Sequence, residues 1–415
     1  MLSQIKSKLL FSIKFAYENS KYWKKKLPKN INDKNFYKIF KQLKVIDKSV
    51  LLSDQIKKNN ILSKINSIRI HKTSGTTAKP LFIYLSQNDV DASVAVGSRA
   101  FKEAGLKKND RIIHCLNFNM WSGGVTDFNC LEKTGATSIP FGVGNTEQLI
   151  KIIRELKINS ISSTPSYMKI IEQQCLKLNI KPKNLGIKKG FFGGESLILE
   201  KANKKYIEKT FNLKAMDANY GLSDVMSIIA GETLKKKNVL KFHALDYLFI
   251  EMFNKNKKIK IKDGSIGELV VTTLKKECQP LLRYTTNDVI RVDSVKIDKD
   301  GEIIELYFNV IGRSDEMLII KGVNIFPSAI ADQIYNQLKI KSTFKLKKPE
   351  TISPEMITIY FNKVDLYKEF GNLNEKLFIQ KIKNSIKSNL NISCEIVLVD
   401  KDLRDKGNKQ KFYLN

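Results

Sequence analysis

The fold is decided by the stretch Arg111-Ile112-Ile113-His114-Cys115-Leu116 and by the segments that follow it. This apolar run predicts a buried strand, and Gly123-Gly124 then opens a helix. The alternation continues with strand 137–141, helix 146–157, strand 160–164, helix 167–178 and strand 188–192. Strands and helices that alternate at this length predict right-handed βαβ units and a largely parallel sheet, which is an α/β fold.

Helical patterns come before this segment, and short strands come after it. The first 60 residues predict helices rich in lysine and apolar residues, and 87–104 predicts a longer helix. From about residue 240, apolar pieces at 249–251, 266–271 and 281–284 are separated by Lys, Asp and Gly turns. Short strands with such turns favour an antiparallel or barrel-like part of the large domain.

About the last hundred residues predict a separate, small α+β unit. Its strands are expected at 356–361 and 395–399. The segment 375–390 predicts an amphipathic helix that packs on the sheet of this unit. With 415 residues, the chain has room for a large domain with its own core and a smaller one.

Composition excludes several classes of protein. The chain is 42% hydrophobic but has no apolar run near 18 residues, which argues against a membrane span. Lysines interrupt the segment that begins at Met1, so it lacks a signal-peptide core and we expect a cytoplasmic protein. The 5 cysteines are scattered without a Cys-x-x-Cys pair, and with 3 histidines they make a structural zinc site or a disulfide framework improbable.

A net charge of +30 raises the question of nucleic-acid binding. Lysine carries nearly all of this charge, because only eight of the 72 basic residues are arginine, the residue that reads guanine edges. The lysines are spread along the whole chain, which argues against a specific nucleic-acid surface. Weak adhesion to polyanions stays open on charge alone, and so does the choice between a monomer and a homodimer.

A phosphate-handling loop is indicated by Thr73-Ser74-Gly75-Thr76-Thr77-Ala78-Lys79-Pro80. Glycine lets successive backbone N–H groups turn toward one anion, and the hydroxyls and Lys79 add donors and charge. The stretch lacks the spacing of the ordinary P-loop, which indicates a different kind of ATP enzyme. A flexible Ser/Thr turn is the plainer alternative.

Five further motifs follow this loop in a fixed order along the chain: Gly193-Gly194-Glu195-Ser196, Asn219-Tyr220-Gly221-Leu222-Ser223-Asp224, Leu282 to Asp288, Gly312 to Pro327, and Gly407-Asn408-Lys409-Gln410-Lys411. Their order and content resemble the adenylate-forming superfamily of acyl-CoA synthetases and luciferase-like enzymes. Within it, the chain resembles the phenylacetate–CoA ligase family over nearly its whole length. The resemblance implies a large adenylation domain at 1–313 and a small, mobile lid domain at 314–415.

The resemblance implies an ATP-dependent acid–CoA ligase, which activates a carboxylate as acyl-AMP and transfers it to CoA. Mg²⁺ is the implied metal, and the acid is expected to be aromatic or arylacetic. The enzyme must hold a tri-anion and neutralise developing charge. Donors for the β- and γ-phosphates are assigned to Ser74, Gly75, Thr76, Thr77 and Lys79. The catalytic roles are assigned to three residues: Thr77, Lys79 and the C-terminal lysine, Lys409.

The same resemblance assigns the nucleotide contacts. Gly194 and Glu195 would lie along adenine, and Tyr220, beside Gly221, would stack on the base. Asp288 would accept hydrogen bonds from the ribose hydroxyls. The other assigned contacts are Arg313 for ribose or phosphate, Asp315 for the hinge and Asp224 for Mg²⁺, a cation that prefers oxygen ligands.

The acid pocket is assigned to segments that contain Phe118, Trp121 and Tyr167, although these aromatic residues could equally be core. Arg283 stays open between a site role and a structural ion pair. Three departures from the family pattern are Ala78 for Gly, Asp224 for Glu and Asn408 for Gly. The alternatives are therefore an adenylating enzyme with a non-CoA acceptor, such as a carrier protein, an amine or a cofactor, and a catalytically weakened homologue.

Overall fold

The computed structural model describes residues 3–57, 60–73, 80–195, 201–254, 257–320, 323–347, 354–403 and 412–414. The chain divides into two compact units, Met1–Ser196 with Ile207–Asn309 and Leu197–Tyr206 with Val310–Asn415. No helix within the described residues has the length and apolarity needed to cross a membrane. The boundary at residue 313, taken from the family resemblance, stays a prediction.

The helices and strands follow each other along the whole chain. The helices are α1 Gln4–Asn19, α2 Lys21–Lys24, α3 Phe36–Gln42, α4 Lys48–Lys57, α5 Gln87–Ala104, α6 Ser122–Thr134, α7 Thr146–Glu155, α8 Pro165–Lys177, α9 Lys201–Phe211, α10 Pro327–Asp332, α11 Lys363–Phe370 and α12 Glu375–Leu390. A 3₁₀ turn spans Pro182–Leu185 and a π-helical turn spans Gln333–Gln337.

The strands are β1 Arg69–Lys72, β2 Phe82–Leu85, β3 Arg111–His114, β4 Thr137–Pro140, β5 Ser160–Ser163, β6 Lys189–Gly193, β7 Lys214–Leu222, β8 Met226–Glu232, β9 Leu240–Phe242, β10 Leu248–Asn254, β11 Lys257–Ile259, β12 Ile266–Thr273, β13 Tyr284–Ile297, β14 Ile303–Arg313, β15 Leu318–Ile320, β16 Val323–Ile325, β17 Phe344–Leu346, β18 Met356–Asn362 and β19 Ser393–Val399.

One long sheet joins most of the large unit, in the order β11-β10-β12-β13-β14-β9-β8-β7-β6-β5-β3-β4. The pairs β3–β4, β3–β5, β5–β6 and β6–β7 are parallel, as the alternation of strands and helices predicts. From β7 onward, the pairs β7–β8, β8–β9, β10–β12 and β12–β13 are antiparallel. The change of direction therefore occurs at β7, which borders both kinds of strand.

Helices α5 and α6 cover the parallel part near this change. α5 has the bounds expected from the sequence and begins with a capping box, in which Ser86 and Asp89 satisfy each other's backbone N–H. It ends at Gly105, whose left-handed φ of +107° suits a glycine. Apolar residues of α5 and α6 pack with Phe191 of β6 and Ile228 of β8 in one buried cluster.

The expected strand 281–284 is wrong in its first three residues, because β13 begins only at Tyr284. Arg283 adopts a left-handed φ of 52°, which breaks the extended backbone at that point. Its N–H donates to Thr272 Oγ1 over 2.8 Å. The segment before β13 is therefore a kinked loop anchored to β12.

The C-terminal unit has its own apolar core. Parallel strands β18 and β19 pair, and β17 pairs antiparallel with β18. Helix α12 has the predicted bounds and buries Phe378, Ile382 and Ile386. These side chains belong to a cluster with Phe344 and Ile359 of the small sheet, as the amphipathic pattern predicts.

Candidate active site

The phosphate-handling loop lies between two strands whose ends are joined. Strands β1 and β2 pair antiparallel, and Thr73 N donates to Leu81 O over 2.9 Å. Gln55 of α4 braces the second strand, since its amide donates to Pro80 O and accepts from Phe82 N. The loop residues Ser74, Gly75, Thr76, Thr77, Ala78 and Lys79 lie outside the described residues.

The hairpin is also tied to the segment that carries Trp121. The carbonyl of Met120 accepts from Lys72 N over 2.8 Å and from His71 Nδ1 over 3.2 Å. Because that carbonyl can only accept, the proton of the His71 ring is on Nδ1, and Nε2 accepts from Thr126 Oγ1. Burial lowers the pKa of His71 to about 4, so the ring is neutral at pH 7.

The nucleotide-binding candidates meet at the end of β7. Tyr220 Oη donates to Asp288 Oδ2 of β13 over 2.6 Å. The Tyr220 ring packs edge-on against Phe308 with the centroids 5.6 Å apart, and the ring stays partly exposed. Gly221 follows, and a methyl group there would lie 1.8 Å from Ser227 O, so only glycine fits. The structure thus brings Tyr220 and Asp288 together, although they are far apart in sequence.

Asp224 lies in the tight turn between β7 and β8. Its carboxylate accepts a hydrogen bond from Tyr284 Oη, and its backbone carbonyl accepts from Lys276 Nζ. Burial lowers the pKa of Lys276, although Asp89 and Asp224 oppose that shift. The turn is therefore held by Tyr284, which lies in the motif Leu282 to Asp288, and by Lys276, which belongs to no motif. Nothing in so lysine-rich a chain marks one lysine as special.

Gly194 and Glu195 lie directly after β6. Gly194 has a left-handed φ of +78°, and a methyl group there would lie 3.5 Å from Trp121 Cη2. The Glu195 carboxylate accepts from Ser166 N over 3.1 Å and from Ser166 Oγ over 2.7 Å. Ser166 lies in the first turn of α8, where a carboxylate is favourable. Glu195 therefore connects the end of β6 to α8.

The three aromatic candidates differ in their surroundings. Tyr167 is buried and its hydroxyl bonds Thr146 Oγ1 and Gly144 O, so it packs as part of the core. Burial also raises the pKa of Tyr167. Phe118 and Trp121 are partly exposed. Phe118 contacts Phe128 ring to ring at 6.2 Å.

Helix α6 begins beside these aromatic residues and is anchored by His114. The Nε2 atom of His114 lies 3.0 Å from the carbonyl oxygens of Gly123 and Gly124, and Nδ1 lies 3.1 Å from Ser162 Oγ. Carbonyls only accept, so Nε2 carries the proton. Burial lowers the pKa of His114 to about 4. A neutral histidine therefore fixes the first turn of α6 to β3 and β5.

Arg283, left open by the sequence, is structural. It is buried, and its guanidinium Nε lies 3.0 Å from Glu251 Oε2 of β10. One terminal nitrogen donates to Lys41 O and Leu43 O, which ties β13 to the segment after α3. Removing one partner of such a buried pair is strongly destabilising.

Arg313 and Asp315 pair with each other in the C-terminal unit. The guanidinium makes two contacts with the carboxylate, at 2.9 and 2.8 Å. Both side chains are more than one-third exposed, so the pair adds little to stability. Asn408 and Lys409 lie outside the described residues.

Comparison with known proteins identifies close sequence similarity. Residues 3–273 match the family described as AMP-binding enzyme. The chain is 31% identical over 338 residues to phenylacetate-coenzyme A ligase of Escherichia coli (strain K12), a match that covers 80% of this chain and 75% of that protein. It is 30% identical over 335 residues to the enzyme of the same name from Pseudomonas putida, covering 80% and 74%.

Solved structures show the same fold at lower identity. The structure of 2-hydroxyisobutyryl-CoA ligase in the postadenylation state with 2-HIB-AMP has a TM-score of 0.81 at 19% identity, over 99% of this chain and 88% of that chain. ATP-bound MatB from Rhodopseudomonas palustris has a TM-score of 0.59 at 14% identity, over 81% and 65%. These likenesses establish the fold that the resemblance implies.

Proposed function

Because this chain belongs to the AMP-binding enzyme family and is an AMP-forming acid–CoA ligase, we propose that its acid substrate is aromatic or arylacetic. The enzyme uses ATP and CoA. A carboxylate oxygen attacks the α-phosphorus of ATP, the bond to pyrophosphate breaks, and acyl-AMP forms. The CoA sulfur then attacks the acyl carbon, and AMP leaves. The names of the two phenylacetate-coenzyme A ligases support an arylacetic acid.

The contact between Tyr220 and Asp288 carries the assignment of the nucleotide site. Asp288 is buried, yet its carboxylate reaches the partly exposed Tyr220 hydroxyl. In the proposed complex, the adenine stacks on the Tyr220 ring and the ribose hydroxyls donate to Asp288. A buried carboxylate that is held by a hydroxyl is already oriented for such bonds, so little ordering is left for the nucleotide to induce.

Asp224 is the proposed protein ligand of Mg²⁺. Mg²⁺ in nucleotide enzymes is held by one or two carboxylates together with the phosphates, and it keeps several waters. A single carboxylate such as Asp224 is compatible with a metal that arrives with ATP. Tyr284 would hold this carboxylate in place and Lys276 would hold the backbone carbonyl of the same residue, and the cation would neutralise phosphate charge.

The remaining nucleotide and catalytic roles are proposed from the sequence. Ser74, Gly75, Thr76, Thr77 and Lys79 hold the β- and γ-phosphates, and the described hairpin that bounds them supports that role. Gly194 and Glu195 border the adenine, and Arg313 contacts ribose or phosphate. Lys409 reaches the α-phosphate during adenylation, and Ala78 and Asn408 are the first positions to examine if ATP binds weakly.

We propose that the chain has a hinge at the boundary between its two domains. Domains 1–313 and 314–415 would change their arrangement between the two half-reactions, with Asp315 at the pivot. Replacing Asp315 with Pro should slow adenylation and thioester formation unequally. Equal slowing of both half-reactions would argue against a pivot at this residue.

Phe118 and Trp121 are the proposed walls of the acid pocket, with Tyr167 behind them. The partial exposure of the first two and the burial of Tyr167 support this arrangement. We also propose that the enzyme works in the cytoplasm, as a monomer or homodimer, without a specific nucleic acid. Its charge rests on scattered lysines rather than on arginines.

A panel of carboxylates read by pyrophosphate release tests the function directly. Release should depend on an arylacetic acid, and mass detection should find the matching acyl-CoA after CoA is added. Lys409→Ala should abolish acid-dependent release while thioester formation from supplied acyl-AMP continues. Failure of every acid in the panel would overturn the proposal.

A further inference from the structure

A fully buried carboxylate on α6 has no role in the reaction as described so far. The Asp127 carboxylate accepts from the Asn219 amide nitrogen and from Ser227 Oγ, the latter over 2.5 Å. A buried carboxylate is costly unless such bonds compensate it. The two donors lie on the neighbouring strands β7 and β8, so Asp127 ties the helix to both.

Asn219 lies on the opposite face of β7 from the nucleotide candidate. Successive side chains of a strand point to opposite faces. Tyr220 contacts Asp288 and Phe308, whereas Asn219 contacts Asp127 of α6. Two residues that are adjacent in sequence therefore face different environments on the two sides of β7.

Asn219 also lies near the segment of Trp121, a proposed wall of the acid pocket, because Trp121 caps the start of the helix that carries Asp127. A methyl group on Gly193 would lie 2.5 Å from Asn219 Cβ, and one on Gly194 would lie 3.5 Å from Trp121 Cη2. Asn219 and Trp121 thus border the same two-glycine turn. Asn219 is also only partly buried, so part of its surface stays exposed.

The neighbours of Asn219 fix the direction of its amide. The contact joins the Asn219 amide nitrogen, which can only donate, to Asp127 Oδ2, so the NH₂ group of Asn219 is committed to Asp127. The amide oxygen then remains as the acceptor. No hydrogen bond to that oxygen occurs within the described part of the chain, and an unpaired acceptor costs most when an apolar group covers it.

We propose that Asn219 is a specificity-determining residue that accepts a hydrogen bond from a hydroxyl group on the acid, and that Asp127 and Ser227 position its amide. The inference rests on the proposed function, because it places the acid beside Trp121. It narrows the substrate to a hydroxylated arylacetic acid. A site built to bind a hydroxyl rejects the analogue without it, because its own polar group is then left unpaired.

The test compares phenylacetate with its 2-, 3- and 4-hydroxy derivatives in the pyrophosphate-release assay. The wild type should prefer at least one hydroxylated isomer over phenylacetate by about tenfold or more in kcat/KM. Asn219→Leu should bring that ratio to about one, with the KM for ATP unchanged. Asp127→Asn should weaken the preference too, because the amide at 219 is no longer fixed.

Two further variants separate specificity from folding. Asp127→Ala with Asn219→Leu and Ser227→Ala removes all three members of the hydrogen-bonded network, so no buried polar group loses its partner and the variant should fold but lack the preference. Asn129→Leu, a partly exposed position on the same helix, should keep the preference. The ratio between two acids is the readout because a general structural defect lowers both rates alike.

Two results overturn the inference. The first is a wild-type enzyme whose kcat/KM for phenylacetate equals its kcat/KM for every hydroxylated isomer. The second is a preference for a hydroxylated isomer that survives in Asn219→Leu. Either result leaves the proposed ligase function standing, since acid-dependent release is still seen. Absence of release with every acid would instead remove the proposed function, and this inference with it.

Discussion

The two faces of strand β7 are built from different kinds of residue. On one face, Tyr220 meets Asp288, and both belong to sequence motifs that indicate a nucleotide site. On the other face, Asn219, the first residue of the same motif as Tyr220, meets Asp127 and Ser227, which belong to no motif. The nucleotide is common to a whole superfamily of enzymes, whereas the acid differs between enzymes. The comparison teaches that the motifs indicate the nucleotide site, whereas the role proposed for Asn219 depends on two partners that only the structure brings beside it.

The largest expected effect on activity comes from the face of β7 where Tyr220 meets Asp288. Asp288→Ala should lower kcat/KM for ATP by about a hundredfold or more, because hydrogen bonds to a charged group contribute about 1.5–3 kcal/mol each and two ribose hydroxyls lose theirs. Pyrophosphate release at varied ATP measures it. Asp293→Ala on the same strand, which removes only a partly exposed ion pair with Lys236, is the matched control. A similar loss in both variants would mean that β13 is merely sensitive to substitution.

The face of β7 that carries Asn219 should affect how the stability of the protein depends on pH, because Asp127 is buried against it. Burial raises the pKa of Asp127 to about 7 from its ordinary 3.8. The folded protein then holds a proton that the unfolded chain has lost, so this group makes the free energy of unfolding fall as pH rises toward 7. Relative to Asp127→Asn, the wild type should lose about 2 kcal/mol between pH 5 and 7, and the difference should become constant above about pH 8. The measurement is the free energy of unfolding in urea at each pH. Curves of this free energy against pH that run parallel for the wild type and Asp127→Asn would contradict the prediction.

His114, which anchors the start of α6, should make the free energy of unfolding rise, rather than fall, as pH increases. Burial lowers its pKa to about 4 from 6.5, so the unfolded chain takes up a proton first as pH falls. Stability from this group is present above pH 6.5 and is lost toward pH 4. Relative to His114→Gln, the wild type should lose about 2 kcal/mol between pH 7 and 5 in the same urea experiment. An unchanged difference would mean that the ring is protonated in the folded state.

Tyr220→Phe should have the smallest effect. The variant keeps the ring and its contact with Phe308 and loses only the bond that orients the Asp288 carboxylate. The nucleotide loses no bond of its own, so we expect ATP binding to weaken by only about 1 kcal/mol. The KM for ATP should rise by about fivefold while the acid preference stays the same. A changed preference between acids would show that the two faces of β7 are not independent.

Much of the fold could be predicted from local patterns. The helices 87–104 and 375–390 have strong periodicity and clear ends, and both were correct to the residue. The break before Tyr284 was missed because a left-handed arginine leaves no compositional signal. Arg283 stood out by being an arginine, but only its contact with Glu251 shows that its role is structural.

The site could be predicted only where a motif carries it. Tyr220 and Asp288 were selected from the sequence and lie in contact. Lys276 and Asp127 lie outside every motif, and Tyr284 lies in one without an assigned role, because each acquires its role from partners that are distant in sequence. Such pairings depend on how the sheet and its helices pack, which one sequence does not reveal.

The division of labour across β7 is tested most directly by measuring KM for ATP and for a hydroxylated arylacetic acid in Tyr220→Phe and Asn219→Leu, in one pyrophosphate-release assay. We expect Tyr220→Phe to raise only the KM for ATP, and Asn219→Leu to raise only the KM for the acid. Variants that change both constants together would contradict the account, because β7 would then not separate the nucleotide from the acid.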